Sequence, residues 1–293
     1  MATDRLKAWI LATRPKTLAA SVSPVIVASA LAFRDRTFRL VPALLCLGVA
    51  LLAQIAANLA NDYFDFKKGA DSETRLGQAR AVASGWIKPR TMLIAALATL
   101  AAACICGCGL LFFGSWQLLL PVGIAVAICV IAYSAGPYPL AYNGLGDVCV
   151  LLFYGIVPVC FTYYVQAQTF TATAVWLSLS MGFMSVNILL VNNYRDCDQD
   201  RAAGKRTTIV MFGRRFGRWL YLADALLAVA CSWTVYLFRS WNTWILFLFF
   251  LIIQLFIWQD LSRLQGAALN RTLELTSLNV LLYALLLTSV MLF

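Results

Sequence analysis

The chain has 293 residues, of which 62% are hydrophobic and 12% charged, and its formal net charge is +10. Soluble domains carry about 25% charged residues, so the composition excludes a soluble domain and gives a polytopic membrane protein. Histidine is absent, which excludes histidine-ligated metals, a Ser-His-Asp triad and histidine acid–base chemistry. What remains for catalysis is Asp, Glu, Lys, Arg, Tyr, Cys or a bound metal.

Residues 1–16 (MATDRLKAWILATRPK) read as a short amphipathic segment at the headgroup level, with Trp9 and the basic residues as anchors. No secretory signal is expected, because this stretch is polar and basic and no small-residue cleavage site follows a short apolar core. The Arg14-Pro15 step starts the first span, since proline fits a helix's first turn. Apolar runs long enough for a bilayer core of about 30 Å give nine spans, at approximately 17–33, 41–61, 92–113, 117–134, 146–166, 172–193, 219–238, 242–260 and 273–292. The expectation is therefore an all-α membrane protein. Pro121, Pro137, Pro139 and Pro158 are expected to kink or end helices. Eight of the nine cysteines lie within apolar runs. On a helix Cys104, Cys106 and Cys108 alternate between nearly opposite sides, so they read as small-residue packing and not as a metal site.

Lysines and arginines favour the cytoplasmic side of membrane proteins. With the N-terminus inside, that side holds Arg5, Lys7, Arg14 and Lys16, the loop after span two, the loop after span six, and Arg263 and Arg271. Only Arg34, Arg36, Arg39 and Arg239 fall outside. The charge thus follows membrane topology, and no nucleic-acid partner is expected.

Two stretches break the apolar pattern, and both lie on the inner side. The first, after span two, is QIAANLANDYFDFKKGAD, residues 54–71. At about 100° per residue, Gln54, Asn58, Asn61, Asp62 and Asp65 fall within an arc of roughly 100°. Lys67 and Lys68 follow at once. The second, after span six, is VNNYRDCDQDRAAGKRT, residues 191–207, where Asn192, Asp196 and Asp200 are spaced i, i+4, i+8 on one face. An offset of 131 residues lays Asn61-Asp62-Tyr63-x-Asp65 over Asn192-Asn193-Tyr194-x-Asp196, a short internal repeat that suggests related halves at about 17–145 and 146–293. Ionisable groups at membrane depth are expensive and mark pathways or sites. A third stretch, YSAGPYPLAYNGLGD at 133–147, joins spans four and five with turn-forming Gly and Pro and with Tyr133, Tyr138, Tyr142 and Asn143. Asn187 and Ser178, Ser180 and Ser185 make span six the most polar; helix packing through small residues explains the serines, and a wall facing a cavity would explain Asn187 as well.

Carboxylates suit Mg2+, which takes one or two of them and fills its shell with water and phosphate. Two acidic clusters with neighbouring lysines and arginines fit a diphosphate held by two such ions, and the apolar interior fits a lipid tail. An allylic diphosphate has both halves. Aromatic rings stabilise the developing carbocation, and no histidine is needed.

The segments TRPKTLAASVSPVIVASALA, QIAANLANDYFDFKKGAD, YSAGPYPLAYNGLGD and NNYRDCDQDRAAGKRT resemble the UbiA superfamily of intramembrane prenyltransferases. The tyrosine-rich loop and the RDxxxDxxxGKRT form are similar to its 1,4-dihydroxy-2-naphthoate branch. The resemblance covers nearly the whole chain as one domain, 1–293. It implies nine helices around a central cavity open to membrane lipid, with cytoplasmic cap loops. It also implies Mg2+-dependent transfer of a polyprenyl chain from polyprenyl diphosphate to 1,4-dihydroxy-2-naphthoate, with loss of CO2, in menaquinone synthesis at the cytoplasmic membrane. Carried over by motif, Asp62 and Asp65 with Asn58 bind one metal, and Asp196 and Asp200 with Asn192 the other. Asn61 joins the substrate-binding set. Lys67, Lys68, Arg80, Lys205 and Arg206 are the diphosphate candidates, Arg14 is a candidate for the acceptor's carboxylate, and Tyr138, Tyr142 and Asn143 shape the acceptor pocket. Where the broad superfamily pattern has a third Asp, this chain has Gly69, with Asp71 two residues on.

The competing readings are a sister enzyme acting on 4-hydroxybenzoate or homogentisate, a CDP-alcohol phosphotransferase, and a transporter of an anionic or lipid-linked substrate. The phosphotransferase signature Asp-Gly-x-x-Ala-Arg does not occur. The repeat runs in the same direction in both copies, unlike the inverted repeats common in transporters.

Overall fold

The computed structural model describes residues 2–69, 76–236 and 241–293, and every regular element among them is helical. Asp71, Arg75 and Arg239 lie outside the described residues. The elements are α1 (Ala2–Thr13), α2 (Ala19–Arg34), α3 (Leu40–Lys67), α4 (Pro89–Leu110), α5 (Trp116–Ala132), α6 (Gly146–Leu151), α7 (Val157–Ala167), α8 (Ala172–Ala202), α9 (Thr208–Cys231), the single turn α10 (Trp233–Tyr236), α11 (Trp241–Arg263) and α12 (Leu269–Leu292).

Among the described residues, six helical segments are long and apolar enough to cross a bilayer, or seven if the first bent pair counts as one span. The count of nine is not reached on these grounds. The expected span at 117–134 is the 17-residue α5, and the one at 219–238 falls on the more polar α9 and on residues beyond those described. The molecule is a multi-pass membrane protein. On α11 the outward Ile245, Leu248, Phe249 and Phe256 are exposed, as lipid-facing side chains are in the absence of lipid.

Proline punctuates the chain only in part as expected. Pro121 lies inside α5, and Pro158 follows the π-helical turn within the continuous stretch from α6 to α7. Pro89 sits in the first turn of α4, where a missing N–H costs nothing. The entry to α2 is sharper than a simple helix start. Arg14 adopts φ 54, Pro15 opens a 3-10 turn, and the helices on either side are bent by 52°. A left-handed conformation costs a residue with a Cβ about 1–3 kcal/mol, so contacts of Arg14 must hold it. Between α6 and α7 the backbone passes through a π-helical turn, Leu152–Ile156. There Gly155 lies against the backbone of Gly182 and Ser178 on α8, with no room for a Cβ. Small residues allow such close approach between membrane helices.

Span six, the α8 helix, serves packing more than expected. Asn187 is fully buried and donates to the Tyr221 carbonyl at 3.1 Å, so it ties α8 to α9 and does not face the cavity. Ser180 shares Tyr283 and the Ala228 carbonyl as partners. Of the three serines, only Ser185 reaches the cavity wall. Cys104 and Cys108 share one face of α4 and line the cavity, while Cys106 points to Gly48, so the three do not converge.

Candidate active site

The long helices α3 and α8, of 28 and 31 residues, run their polar ends into one cavity of about 510 Å³. At one end its wall is charged, with Arg14, Asn58, Asn61, Asp65, Arg80, Asn192, Asp196, Asp200 and Lys205. Away from these the wall is made by Val49, Ala53, Leu100, Leu119, Ile124 and Val130 of α3, α4 and α5. The cavity therefore has the amphipathic lining that a lipid with an anionic head requires.

Asp65 is the hub of the charged end. It is fully buried and accepts from the Tyr142 hydroxyl at 2.8 Å and from Arg80 at 3.3 Å. The Lys205 ammonium lies 3.5 Å from Asp65 and 3.6 Å from Asp200, and so bridges the two acidic stretches. Sequence distance between these acids is large, and Lys205 is delivered by the turn that ends α8. Its N–H donates to the Asp200 carbonyl at 2.8 Å, and Gly204 before it takes φ 73, where a side chain would be strained. Asn61 gathers two cations: Arg14 donates to its Oδ1 at 2.6 Å, and Arg80 donates to the same atom. These contacts anchor the strained Arg14 backbone. Asn61 in turn donates to Ser134 at 2.9 Å, and Asn58 to the Thr13 carbonyl at 3.0 Å.

In the second stretch, Arg195 grips Asp196 with two contacts of 2.7 Å and also donates to Asn192 at 2.6 Å and to Asn270 at 2.8 Å. Arg195 is not among the residues that the sequence marks as candidates; its i, i+3 spacing from Asn192 is the signal that points to it.

Several expected residues stand elsewhere. Asp62 is buried but does not line the cavity; its two oxygens accept from the backbone N–H groups of Ala81 at 3.0 Å and Val82 at 3.3 Å. It lies some 60° from Asp65 around the helix, enough to turn it toward the loop. Lys67 and Arg206 are exposed and outside the lining, although the Arg206 N–H clips the Tyr142 carbonyl at 2.8 Å. Lys68 donates to the Ser134 carbonyl at 2.8 Å and sits 4.3 Å from the centre of the Tyr142 ring. Partial burial pushes its ammonium below the ordinary lysine range, Asp65 opposes that, and Lys205 adds to it.

The 133–147 loop is present but uses other residues than expected. Tyr138 is 60% exposed, and Asn143 closes its own turn by donating to the Pro139 carbonyl. Tyr142 acts through Asp65, with Lys68 and Lys205 over its ring. The cavity wall here is Tyr133, Ala141, Gly144, Gly146 and Asp147.

Among the described residues, no three acidic or cysteine side chains converge on one point as a ready metal site. The donor set still suits a hard cation: three carboxylates and three amides line the charged end, and the cations Arg80, Arg195 and Lys205 already neutralise them. Mg2+ needs only one or two carboxylates before water and phosphate complete its shell. Asp65, Asp196 and Asp200 line the cavity and fit that requirement, whereas Asp62 lies outside the lining, with its oxygens on the Ala81 and Val82 N–H groups.

Residues 21–288 match the UbiA prenyltransferase family. The 1,4-dihydroxy-2-naphthoate octaprenyltransferase of Haemophilus influenzae is 33% identical over 81% of this chain and 83% of its own length. The Escherichia coli enzyme of the same name is 34% identical over 82% of this chain and 80% of its own. A UbiA homolog from Archaeoglobus fulgidus, solved bound to DMAPP and Mg2+, superposes with a TM-score of 0.67 at 14% identity, covering 96% of this chain and 99% of that one. The chain belongs to the UbiA prenyltransferase family.

Proposed function

We propose that this protein transfers a polyprenyl chain from polyprenyl diphosphate to 1,4-dihydroxy-2-naphthoate, a step of menaquinone synthesis. The observation that carries this reading is the single cavity whose charged end joins both acidic stretches and whose other walls are apolar. The names of the bacterial relatives support the choice of acceptor.

In this reading Lys205, Arg80 and Arg14 bind the diphosphate and the acceptor's carboxylate. Asp65 holds Arg80, Lys205 and Tyr142 in register, and Arg195 fixes Asp196 and Asn192. Asp65 with Asn58 would hold one Mg2+, and Asp196 and Asp200 with Asn192 a second. When bound, Mg2+ supplies positive charge that stabilises the departing diphosphate. The apolar walls keep water from the allylic cation formed as the C–O bond breaks and diphosphate leaves with the electron pair. The ring carbon bearing the carboxylate attacks that cation and forms the new C–C bond. The C–CO2 bond then breaks, its electrons restore the aromatic ring, and CO2 leaves. No base is required, which suits a chain without histidine. The N-terminus and both acidic stretches lie on the cytoplasmic side in this reading, supported by the distribution of Lys and Arg.

The test is turnover by the purified protein in liposomes with polyprenyl diphosphate and Mg2+. Prenylated naphthoquinol from dihydroxynaphthoate is expected. Product from 4-hydroxybenzoate alone would overturn the acceptor assignment.

A further inference from the structure

The cavity wall holds one carboxyl group that belongs to neither acidic stretch. Asp147 sits at the start of α6, in the part of the 133–147 loop that faces the cavity. Thr208, from the start of α9, donates its hydroxyl to Asp147 Oδ2. The other oxygen, Oδ1, has no protein partner among the described residues, and no lysine or arginine among them lies within ion-pair distance. This differs from Asp65, Asp196 and Asp200, each of which is paired with a cation. An acid at membrane depth without a counter-ion is costly, and this one, unlike the buried Asp224, opens on the cavity. Nothing in the fold requires the charge here, since Thr208 would serve as well with a neutral partner.

A carboxylate oxygen accepts hydrogen bonds and repels anions. Among the described residues Asp147 joins no group of three acids that could hold a metal, it repels the diphosphate, and the prenyl chain has no donor to offer. The aromatic acceptor has two ring hydroxyls. We infer that Asp147 Oδ1 accepts a hydrogen bond from a ring hydroxyl of the aromatic acceptor, and so orients the ring and selects for a hydroxylated one. The inference rests on the prenyltransferase reading given above and deepens it. Arg14, which lines the same cavity, suits the acceptor's carboxylate. One acidic and one basic side chain then discriminate the two kinds of polar group, hydroxyl and carboxylate, on the same small ring. A hydrogen bond to a charged acceptor also draws the O–H proton outward and enriches the ring in electrons as it attacks the allylic cation.

The experiment compares wild type with Asp147→Asn and Asp147→Ala in liposomes. Wild-type turnover of dihydroxynaphthoate is measured first, and its absence would overturn both the functional reading and this inference. With turnover established, Asp147→Ala should lower kcat/KM for the acceptor by roughly 10- to 150-fold, the worth of one charge-assisted hydrogen bond. Asp147→Asn keeps the shape and a neutral acceptor oxygen, so it should fall between. KM for the prenyl diphosphate and the Mg2+ requirement should stay within about twofold in both, which a general loss of structure would not allow. The partner hydroxyl is identified by inhibition constants of 1-hydroxy-2-naphthoate and 4-hydroxy-2-naphthoate. One of them should bind more weakly than the dihydroxy compound in wild type but not in Asp147→Ala. Equal penalties in wild type and variant, or an unchanged acceptor kcat/KM in Asp147→Ala, would overturn the inference while leaving the prenyltransferase reading intact.

Discussion

Asp65→Asn is the substitution with the most to say about the charged end of the cavity. It keeps the shape of the side chain and removes one negative charge from a fully buried position. Two cations lie against that charge, Arg80 at 3.3 Å and Lys205 at 3.5 Å, and the Tyr142 hydroxyl is 2.8 Å away. Hydrogen bonds to charged groups contribute about 1.5–3 kcal/mol each. Losing two of them while a substrate anion is being positioned costs about 3–6 kcal/mol, or roughly 10²- to 10⁴-fold in Mg2+-supported kcat/KM. The sign reverses when no metal is present. Asp65 then repels the diphosphate, and its removal releases Arg80 and Lys205 to bind it. In EDTA, the affinity of the variant for a non-hydrolysable polyprenyl diphosphate should therefore rise. The assay pairs turnover in Mg2+ with ligand binding in EDTA on the same liposome preparation. Weaker binding in EDTA together with lost turnover would show that Asp65 only maintains the fold, and would refute the reasoning.

Other outcomes separate the neighbouring groups. Tyr142→Phe removes the hydroxyl that donates to Asp65 and should cost roughly 10- to 150-fold in kcat/KM with no change in acceptor selectivity; altered selectivity between naphthoate and benzoate acceptors would place Tyr142 in the acceptor pocket after all. Asp62→Ala leaves the N–H groups of Ala81 and Val82 without their acceptor, at about 1–3 kcal/mol for each. Its melting temperature in detergent should fall by several degrees while the apparent Mg2+ affinity is kept, and a lost Mg2+ response at unchanged stability would restore Asp62 as a ligand. Asp224 is buried in α9, and its Oδ2 has no hydrogen-bond partner among the described residues. Replacing it by Leu should raise the melting temperature, by the equivalent of about 1–3 kcal/mol, with activity retained; a lower melting temperature would mean that the acid is compensated.

Helical periodicity made much of the site legible. Gln54, Asn58, Asn61 and Asp65 span only about 60° of arc, and all four face the cavity. Asp62 lies at the edge of the arc drawn from the sequence, where periodicity does not decide between cavity and loop. The deciding fact is long-range: the backbone N–H groups of residues 81 and 82 need an acceptor, and Asp62 meets them. Lys67 and Lys68 look equivalent in sequence, yet only Lys68 reaches Ser134 and Tyr142. In the irregular 133–147 loop no period exists, so side-chain direction was not legible there. Tyr138 points outward, whereas Asp147, which was not among the candidate residues, lines the cavity. Among the described residues six or seven segments are long and apolar enough to span, and the count of nine is not confirmed, because α5 is only 17 residues long and α9 carries more polar residues.

Whether one cavity joins both acidic stretches to prenylate a dihydroxynaphthoate is decided by product analysis of the purified protein in liposomes, given polyprenyl diphosphate with either 1,4-dihydroxy-2-naphthoate or 4-hydroxybenzoate, in Mg2+ or in EDTA. Prenylated naphthoquinol is expected with release of CO2 and diphosphate, in Mg2+ and from the first acceptor alone. Product that persists in EDTA, or that forms only from 4-hydroxybenzoate, would contradict that chemistry.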